Sequence, residues 1–213
     1  THSYSTVGSY DVRLIVWNNT KACRDTIIQN LFINGSFPVA NFNINNPAAL
    51  CANAPVEIVE ASSVFPGSIT KTEIYWDNVN APAVFDTDNT PFTGKVYTHL
   101  YPNFQSPLTK TFTIRYRAYS GGVCVNDKLQ TITVHAAPLV QFNNMPNTCL
   151  LVPPFQLTQA SEIGAVPGTG VYSGAGVSAS GMFDPQVAGV GTHTITYTFT
   201  STAAGCVDFK TNT

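Results

Sequence analysis

The sequence predicts an all-β protein built of sandwiches, and three observations carry that prediction. The first is composition. Only 10% of the 213 residues are charged, where a soluble domain has about 25%. In place of the missing Lys, Glu and Arg stand 26 Thr and 18 Asn, which are strand, turn and surface residues, while good helix formers are scarce. The second is period-2 patterning in the runs 10–16, 111–117 and 192–199, which puts one side of each strand in a core and the other in water. The third is punctuation by turn clusters: Pro66-Gly67-Ser68, Ser120-Gly121-Gly122 and Pro167-Gly168-Thr169-Gly170. Many short strands with Gly/Pro turns imply sandwiches.

Composition also excludes function classes. Ten basic and twelve acidic residues give a net charge of −2, so no basic field exists to hold a phosphate backbone. No apolar run approaches the ~18 residues of a membrane-spanning helix. No leader stands at Thr1, which reads as a mature or excised piece. With 44% hydrophobic residues, the chain can bury sizeable cores in one large or two to three small domains.

The chain repeats. Thr1-His2-Ser3-Tyr4 recurs as Thr98-His99-Leu100-Tyr101, each followed by a loop, a long strand, a short loop and a cysteine. After the cysteine come Asp25-Thr26-Ile27, Asn126-Asp127-Lys128 and, in a third copy, Val207-Asp208-Phe209. Cys23, Cys124 and Cys206 thus close equivalent strand–turn–strand units. A final strand and a proline follow the first two, with Leu31-Phe32-Ile33 before Pro38 and Ile132-Thr133-Val134 before Pro138. Proline stiffens such a junction and cannot donate to the preceding ladder. The expected domains are 1–36, the closing strands of a repeat; 37–137, a whole repeat; and 138–213, a shorter unit whose last strand stops near Thr213. The chain reads as cut from a longer tandem array. In 1–36 the apolar side chains Val12, Leu14, Val16, Ile28 and Phe32 lack an opposing sheet, so this segment is expected to be the least ordered.

The repeat accounts for an odd number of cysteines. The whole unit has Cys51 and Cys124, the third Cys149 and Cys206, and the first only its late one, Cys23. The simplest pairing is Cys51–Cys124 and Cys149–Cys206, leaving Cys23 unpaired. Such loops contribute on the order of 4 kcal/mol each. Cys51 follows the first strand and Cys124 lies in the last turn, which need not share an end of a sandwich, so an inter-unit bridge, Cys51–Cys206, stays open. Disulfides imply an oxidising compartment. Zinc is the rival reading, but there is no Cys-x-x-Cys and no His within four residues of a Cys, against the usual ligand spacing.

These residues carry a resemblance. Ala40-Asn41-Phe42, Cys51, Pro55-Val56-Glu57-Ile58, Ile74-Tyr75-Trp76-Asp77, Tyr97-Thr98-His99-Leu100-Tyr101 and the long strand before Cys124 resemble PKD-type repeats, which are immunoglobulin-like sandwiches of seven strands. The Asp-Gly turn of that pattern is missing, because Asn78-Val79 follow Trp76-Asp77. Residues 1–36 look like the second half of another such repeat. Residues 170–177, Phe183-Asp184-Pro185, 188–197 and Gly205-Cys206 look like a bacterial immunoglobulin-like repeat. Such repeats alternate in long surface proteins of the Bacteroidota, several of them adhesins exported by the type IX route, gliding-motility adhesins included. PKD repeats also space domains in secreted proteases and chitinases, and fold does not settle function.

Candidate chemistry is sparse. His2 and His99 occupy one repeated His-x-Tyr position and read as sandwich features. His193 sits in a strand, and His135 precedes the Pro138 junction. No Gly-x-Ser-x-Gly, His-Glu-x-x-His or P-loop pattern is present, so no catalytic residue is assigned. The glycine-rich segment 164–176 reads as a turn-rich hairpin. Asp77, Asp86 and Asp88, with Asn78 and Asn89, are weak Ca²⁺ candidates, set against solvated turns with Asx hydrogen bonds. No other cofactor or metal is expected. Tyr75, Tyr97, Tyr101, Tyr116 and Tyr119 with Trp76 offer a glycan platform or, by alternation, core. Asn18-Asn19-Thr20 and Asn34-Gly35-Ser36 match N-glycan acceptors, and Asp25-Thr26-Ile27 an O-glycan acceptor.

The expected function is a non-catalytic segment of a secreted, cell-surface repeat protein that extends and presents adhesive domains. The alternative is a spacer or glycan-binding accessory module of a secreted multidomain hydrolase. Expected partners are adjacent repeats and surface glycans or cell-surface proteins, with neither nucleic acid nor a membrane span.

Overall fold

A computed structural model describes all residues except 5, 7 and 34. The protein is all-β, with antiparallel strand pairing throughout its sheets. Strands β1 (Gly8–Trp17) and β2 (Arg24–Ile33) form a hairpin in register from Gly8 opposite Ile33 to Trp17 opposite Arg24. Its turn is held by Asn18, whose Oδ1 accepts from the amides of Ala22 (2.9 Å) and Cys23 (3.3 Å).

The next seven strands are β3 (Phe42–Ile44), β4 (Pro55–Glu60), β5 (Lys71–Tyr75), β6 (Asp86–Asp88), β7 (Val96–Leu100), β8 (Thr109–Ser120) and β9 (Cys124–His135). They make two sheets, ordered β3-β4-β7 and β6-β5-β8-β9. The connections β4–β5, β6–β7 and β7–β8 therefore cross between the sheets, as in an immunoglobulin-like sandwich. The remaining strands are β10 (Val140–Phe142), β11 (Phe155–Gln156), β12 (Ala160–Glu162), β13 (Gly168–Gly174), β14 (Met182–Phe183), β15 (Ile195–Ser201) and β16 (Val207–Asn212). They pair as β10-β12, β11-β14 and β13-β15-β16. A single helical turn, α1 (Pro185–Ala188), follows β14, capped by Asp184, whose side chain accepts from the amides of Gln186 and Val187.

By contact the chain divides into two compact units. One comprises Thr1–Ile44, Ile58–Tyr97 and Thr113–Thr131, the other Asn45–Glu57, Thr98–Phe112 and Ile132–Thr213. In the first unit the alternation of β8 buries Ile114, Tyr116 and Ala118 completely, and Tyr116 packs on Phe42 of β3 (centroids 5.5 Å) and Tyr97 of β7 (6.2 Å). Contact across the two sheets is what makes this a sandwich core. In the second unit the core gathers Leu157, Tyr172, Phe183 and Ile195, with Phe142 and Tyr197 against it.

The segment 164–176 departs from the hairpin expected. Its second half is β13, a regular strand in register with β15 from Gly168 opposite Ser201 to Gly174 opposite Ile195. The glycines serve the neighbour: a Cβ on Gly170 would collide with the ring of Tyr197, and one on Gly168 with that of Phe199. Glycine in a strand marks such close approach.

Pairing of the cysteines also departs from the simplest expectation. Cys51 is bonded to Cys206, the inter-unit alternative, while Cys23, Cys124 and Cys149 carry free thiols. The reason is strand length. Cys124 opens β9 and His135 closes it, and Cys51 forms a parallel bridge with His135. Eleven steps along a strand, at ~3.3 Å each, separate Cys124 from the Cys51 end by roughly 36 Å. A disulfide tolerates about 4.4–6.8 Å between Cα atoms, and Cys51 and Cys206 stand 5.6 Å apart.

Candidate functional site

The most highly constructed place outside the cores is the stretch 135–140, and all of it lies in the second unit. Ala136, Ala137, Pro138 and Val140 are buried. The Ala136 amide donates to the Leu108 carbonyl at 2.9 Å. The Ala137 amide donates to Asn103 Oδ1 (3.2 Å), and its carbonyl accepts from Gln105 Nε2 (3.1 Å) and Asn103 Nδ2 (3.4 Å). Pro138 has no N–H to satisfy. The Leu139 amide donates to Glu162 Oε1 (3.0 Å) and that of Val140 to Asp208 Oδ2 (2.8 Å). Glu162 also accepts from the amides of Gly164 and Val166. Every backbone donor from 135 to 140 therefore has a partner. Beside it the Cys51–Cys206 bond closes on His135, whose amide donates to Leu50 and whose carbonyl accepts from Ala52, each at 2.8 Å. A stretch so held is fixed within its unit, because leaving such groups buried and unpaired costs about 1–3 kcal/mol each.

The first unit contains the counterpart joint. Pro38 and Ala40 are buried like Pro138 and Val140. The Ala40 amide donates to Asn126 Oδ1 at 3.0 Å, as that of Val140 does to Asp208. Asn126 and Asp208 each stand two residues beyond the late cysteine of their repeat. Lys128 adds donations to Asn41 Oδ1 (2.7 Å) and the Phe42 carbonyl (2.8 Å). The thiol of Cys124 donates to the Gly35 carbonyl at 2.8 Å.

The sequence-expected candidates fall elsewhere. His2 meets Tyr4 edge-on at 4.6 Å and 78°, and His99 meets Tyr101 at 4.6 Å and 76°. The repeated motif is thus the same ring pair twice, continued by Tyr4 on Tyr10 and by Tyr101 on Phe112. His193 shares a hydrogen bond with the Gly189 carbonyl at 2.9 Å. The ring Nδ1 of His135 is buried without a partner. Tyr75, Trp76, Tyr101 and Tyr116 are buried, which gives the aromatic set to the cores and leaves no flat platform of those rings. Asn18-Asn19-Thr20 lies in the β1–β2 turn and Asp25-Thr26-Ile27 at the start of β2. Asn34 of the other acceptor pattern lies outside the described residues.

The three aspartates are engaged one by one. Asp77 accepts from the Asn80 side chain (2.9 and 3.0 Å) and Asp86 from the Trp76 indole (2.7 Å). Asp88 accepts from Tyr97 (2.7 Å) and the Thr90 amide (3.0 Å) and pairs with Lys95 (2.7 Å). Burial alone would raise the Asp88 carboxyl, but the bonds from Lys95, Thr90 and Tyr97 outweigh it and bring its pKa to about 2. Among the described residues no group of three or more His, Cys, Asp or Glu is placed to hold a metal ion.

Two buried glutamates in the first unit titrate in opposite senses. Glu73 is held below the usual carboxylate range: burial pushes it up, but donation from Lys71 (2.8 Å), Tyr119 (2.8 Å) and Tyr75 (3.0 Å) prevails. Burial raises Glu60, whose Oε1 accepts from the Ser62 amide while Oε2 finds no partner. The carboxyls held low, Asp88 and Glu73, supply stability that is present above their unfolded values near 4 and is lost as pH falls below them. Glu60, raised, supplies stability that is full below 4.5 and is lost as pH rises through its folded value. Glu60→Gln should therefore stabilise the protein at pH 7 by about 1 kcal/mol, measured by urea denaturation, and give no gain at pH 3. A loss at pH 7 would contradict this assignment.

No family model matches the chain, and no curated protein matches it. Among solved structures, one similar chain is "Protocadherin Gamma B2 extracellular cadherin domains 3-6", at 14% identity and a TM-score of 0.25. The match covers 96% of this chain and spans 59% of that one. The fold assignment rests on this chain's own sheets.

Sequence reasoning found both prolines and all five cysteines but missed the joint they form. One signal was present: a twelve-residue strand separates the early-cysteine end of a repeat from its late-cysteine end, which the Cys124-to-His135 run spells out. Glu60, Glu73 and Glu162 carry no sequence signal, since their burial follows from cross-strand packing.

Proposed function

We propose that this chain is a non-catalytic, load-transmitting segment of a secreted cell-surface repeat protein, which extends and presents adhesive domains. The observation that carries the reading is the fixed joint at 135–140, hydrogen-bonded at every backbone donor and fastened by Cys51–Cys206. A joint so held resists bending between sandwiches, which a spacer needs and a lone binding domain does not. The disulfide supports an oxidising, extracellular setting. No helix of the described residues is long and apolar enough to cross a membrane. The resemblance to repeats of Bacteroidota adhesins supports the surface role, and export by the type IX route and a part in gliding motility belong to the same proposal.

A replacement experiment tests it. Exchanging residues 1–213 in the parent protein for unrelated disulfide-linked sandwiches of equal length should preserve surface attachment, and deleting them should reduce it. Loss of attachment on exchange, or binding of the isolated chain on a glycan array, would favour the ligand-binding alternative instead.

A further inference from the structure

Cys124 and Cys149 look unexplained, since each has an equivalent elsewhere in the chain that is disulfide-bonded. The two joints explain them together. At the 135–140 joint the early cysteine of the second repeat, Cys51, lies on His135, three residues before Pro138. The late cysteine of the third repeat, Cys206, reaches it there. At the other joint the late cysteine of the second repeat, Cys124, lies against Gly35, three residues before Pro38. Gly35 is thus the counterpart of His135, and Cys124 the counterpart of Cys206, two residues ahead of the side chain that holds the Pro+2 amide in each case. Residues 1–36 contain the late cysteine of their repeat, Cys23, and no early one.

The third repeat shows the other half of the pattern. Cys149, the counterpart of Cys51, is exposed. Its neighbours Thr148 and Leu150 line one cavity of about 400 Å³ together with Thr213. Thr213 directly follows β16, and Cys206 directly precedes it. At ~3.3 Å per residue the seven steps from Cys206 to Thr213 span roughly 23 Å, so Cys149 stands at the opposite end of its repeat from Cys206. Within one repeat the two cysteines cannot meet, and across a joint they do.

We propose that the disulfides of this protein run between repeats in a fixed stagger, the early cysteine of each repeat bonded to the late cysteine of the next. Cys124 is then the receiving half for the early cysteine of the preceding repeat, Cys149 the donating half toward the late cysteine of the following one, and Cys23 a further receiving half. This rests on the tandem-repeat reading above. Each bridge forms one S–S bond from two thiols, and their two electrons and two protons pass to a disulfide-bearing oxidant, whose own S–S bond breaks to give its dithiol. The result is a covalent ladder in which every joint, rather than every sandwich, is fastened.

Thiol mapping decides it. The parent protein is harvested from its source into N-ethylmaleimide, digested without reduction and analysed by mass spectrometry. The expected result is a Cys51–Cys206 peptide pair, no maleimide on Cys124 or Cys149, and each of these two linked to a cysteine peptide outside residues 1–213. In the isolated 213-residue chain the same two sites, with Cys23, should label completely. A Cys51–Cys124 or Cys149–Cys206 pair, maleimide on Cys124 or Cys149 in the parent protein, or a bond joining two copies of either residue would each overturn the stagger. None of those results bears on the replacement experiment, so failure of the ladder and failure of the spacer role remain distinguishable.

Discussion

Replacing Cys206 with alanine should lower the unfolding free energy by about 4–5 kcal/mol, the largest effect expected of any single substitution. The bond spans a sequence separation of 155 residues, and closing a loop of that length removes about 5 kcal/mol of chain entropy from the unfolded state. Two comparisons isolate the bond from local packing. Cys51→Ala should cost the same as Cys206→Ala, and the double variant should cost no more than either, since one bond is lost in all three. Treatment of the wild-type chain with dithiothreitol should bring its urea midpoint to that of the variants. Additive losses from the two single changes would show that the cysteines act as separate packing residues and that the bond does not form.

The hairpin 8–33 should exchange its amide hydrogens at least a thousandfold faster than β5 and β8. In the whole repeat, Ile114, Tyr116 and Ala118 are completely buried. In β1 the alternate apolar side chains Val12, Leu14 and Val16 are exposed by 42%, 59% and 55%, and on β2 Ile28 and Phe32 by 61% and 55%. A two-stranded ribbon without a covering layer is marginal in water, so its opening free energy lies near the bottom of the range, while β8 opens only with its sandwich. A difference of about 4 kcal/mol is a factor near a thousand in exchange rate. Equal protection of Val12–Val16 and Ile114–Ala118 in a monomer would mean that the hairpin is complete in itself, and the repeat boundary near Phe37 would be misplaced.

How far the sequence led is plain from particular residues. The period-2 runs 10–16 and 111–117 became β1 and β8, because alternation of large apolar side chains with Thr and Arg has one stable solution at a half-buried sheet. The repeated His-x-Tyr is one ring pair made twice, a contact its recurrence alone did not specify. Strands β10, β11, β12 and β14 have two or three residues each, too short for any period, and exist only because neighbouring strands offer them partners. The cysteine pairing was not legible from counting, because equivalence along the sequence says which residues correspond and not which ends of a sandwich they occupy. Strand length settles that, through the roughly 36 Å of β9 between the two cysteine ends of one repeat. The aspartates 77, 86 and 88 are close in sequence, yet each is turned to its own donor, Asn80, Trp76 and Tyr97 respectively.

The most direct test of a load-transmitting, joint-fastened spacer is to stretch the chain between its ends, oxidised and then reduced, and measure its unfolded length. With Cys51 bonded to Cys206, tension passes from residue 51 to residue 206 and bypasses everything between. At roughly 3.5 Å per residue the oxidised chain should therefore extend about 540 Å less than the reduced one. Equal extension in the two states would show that the bond does not carry the load, and would contradict the account.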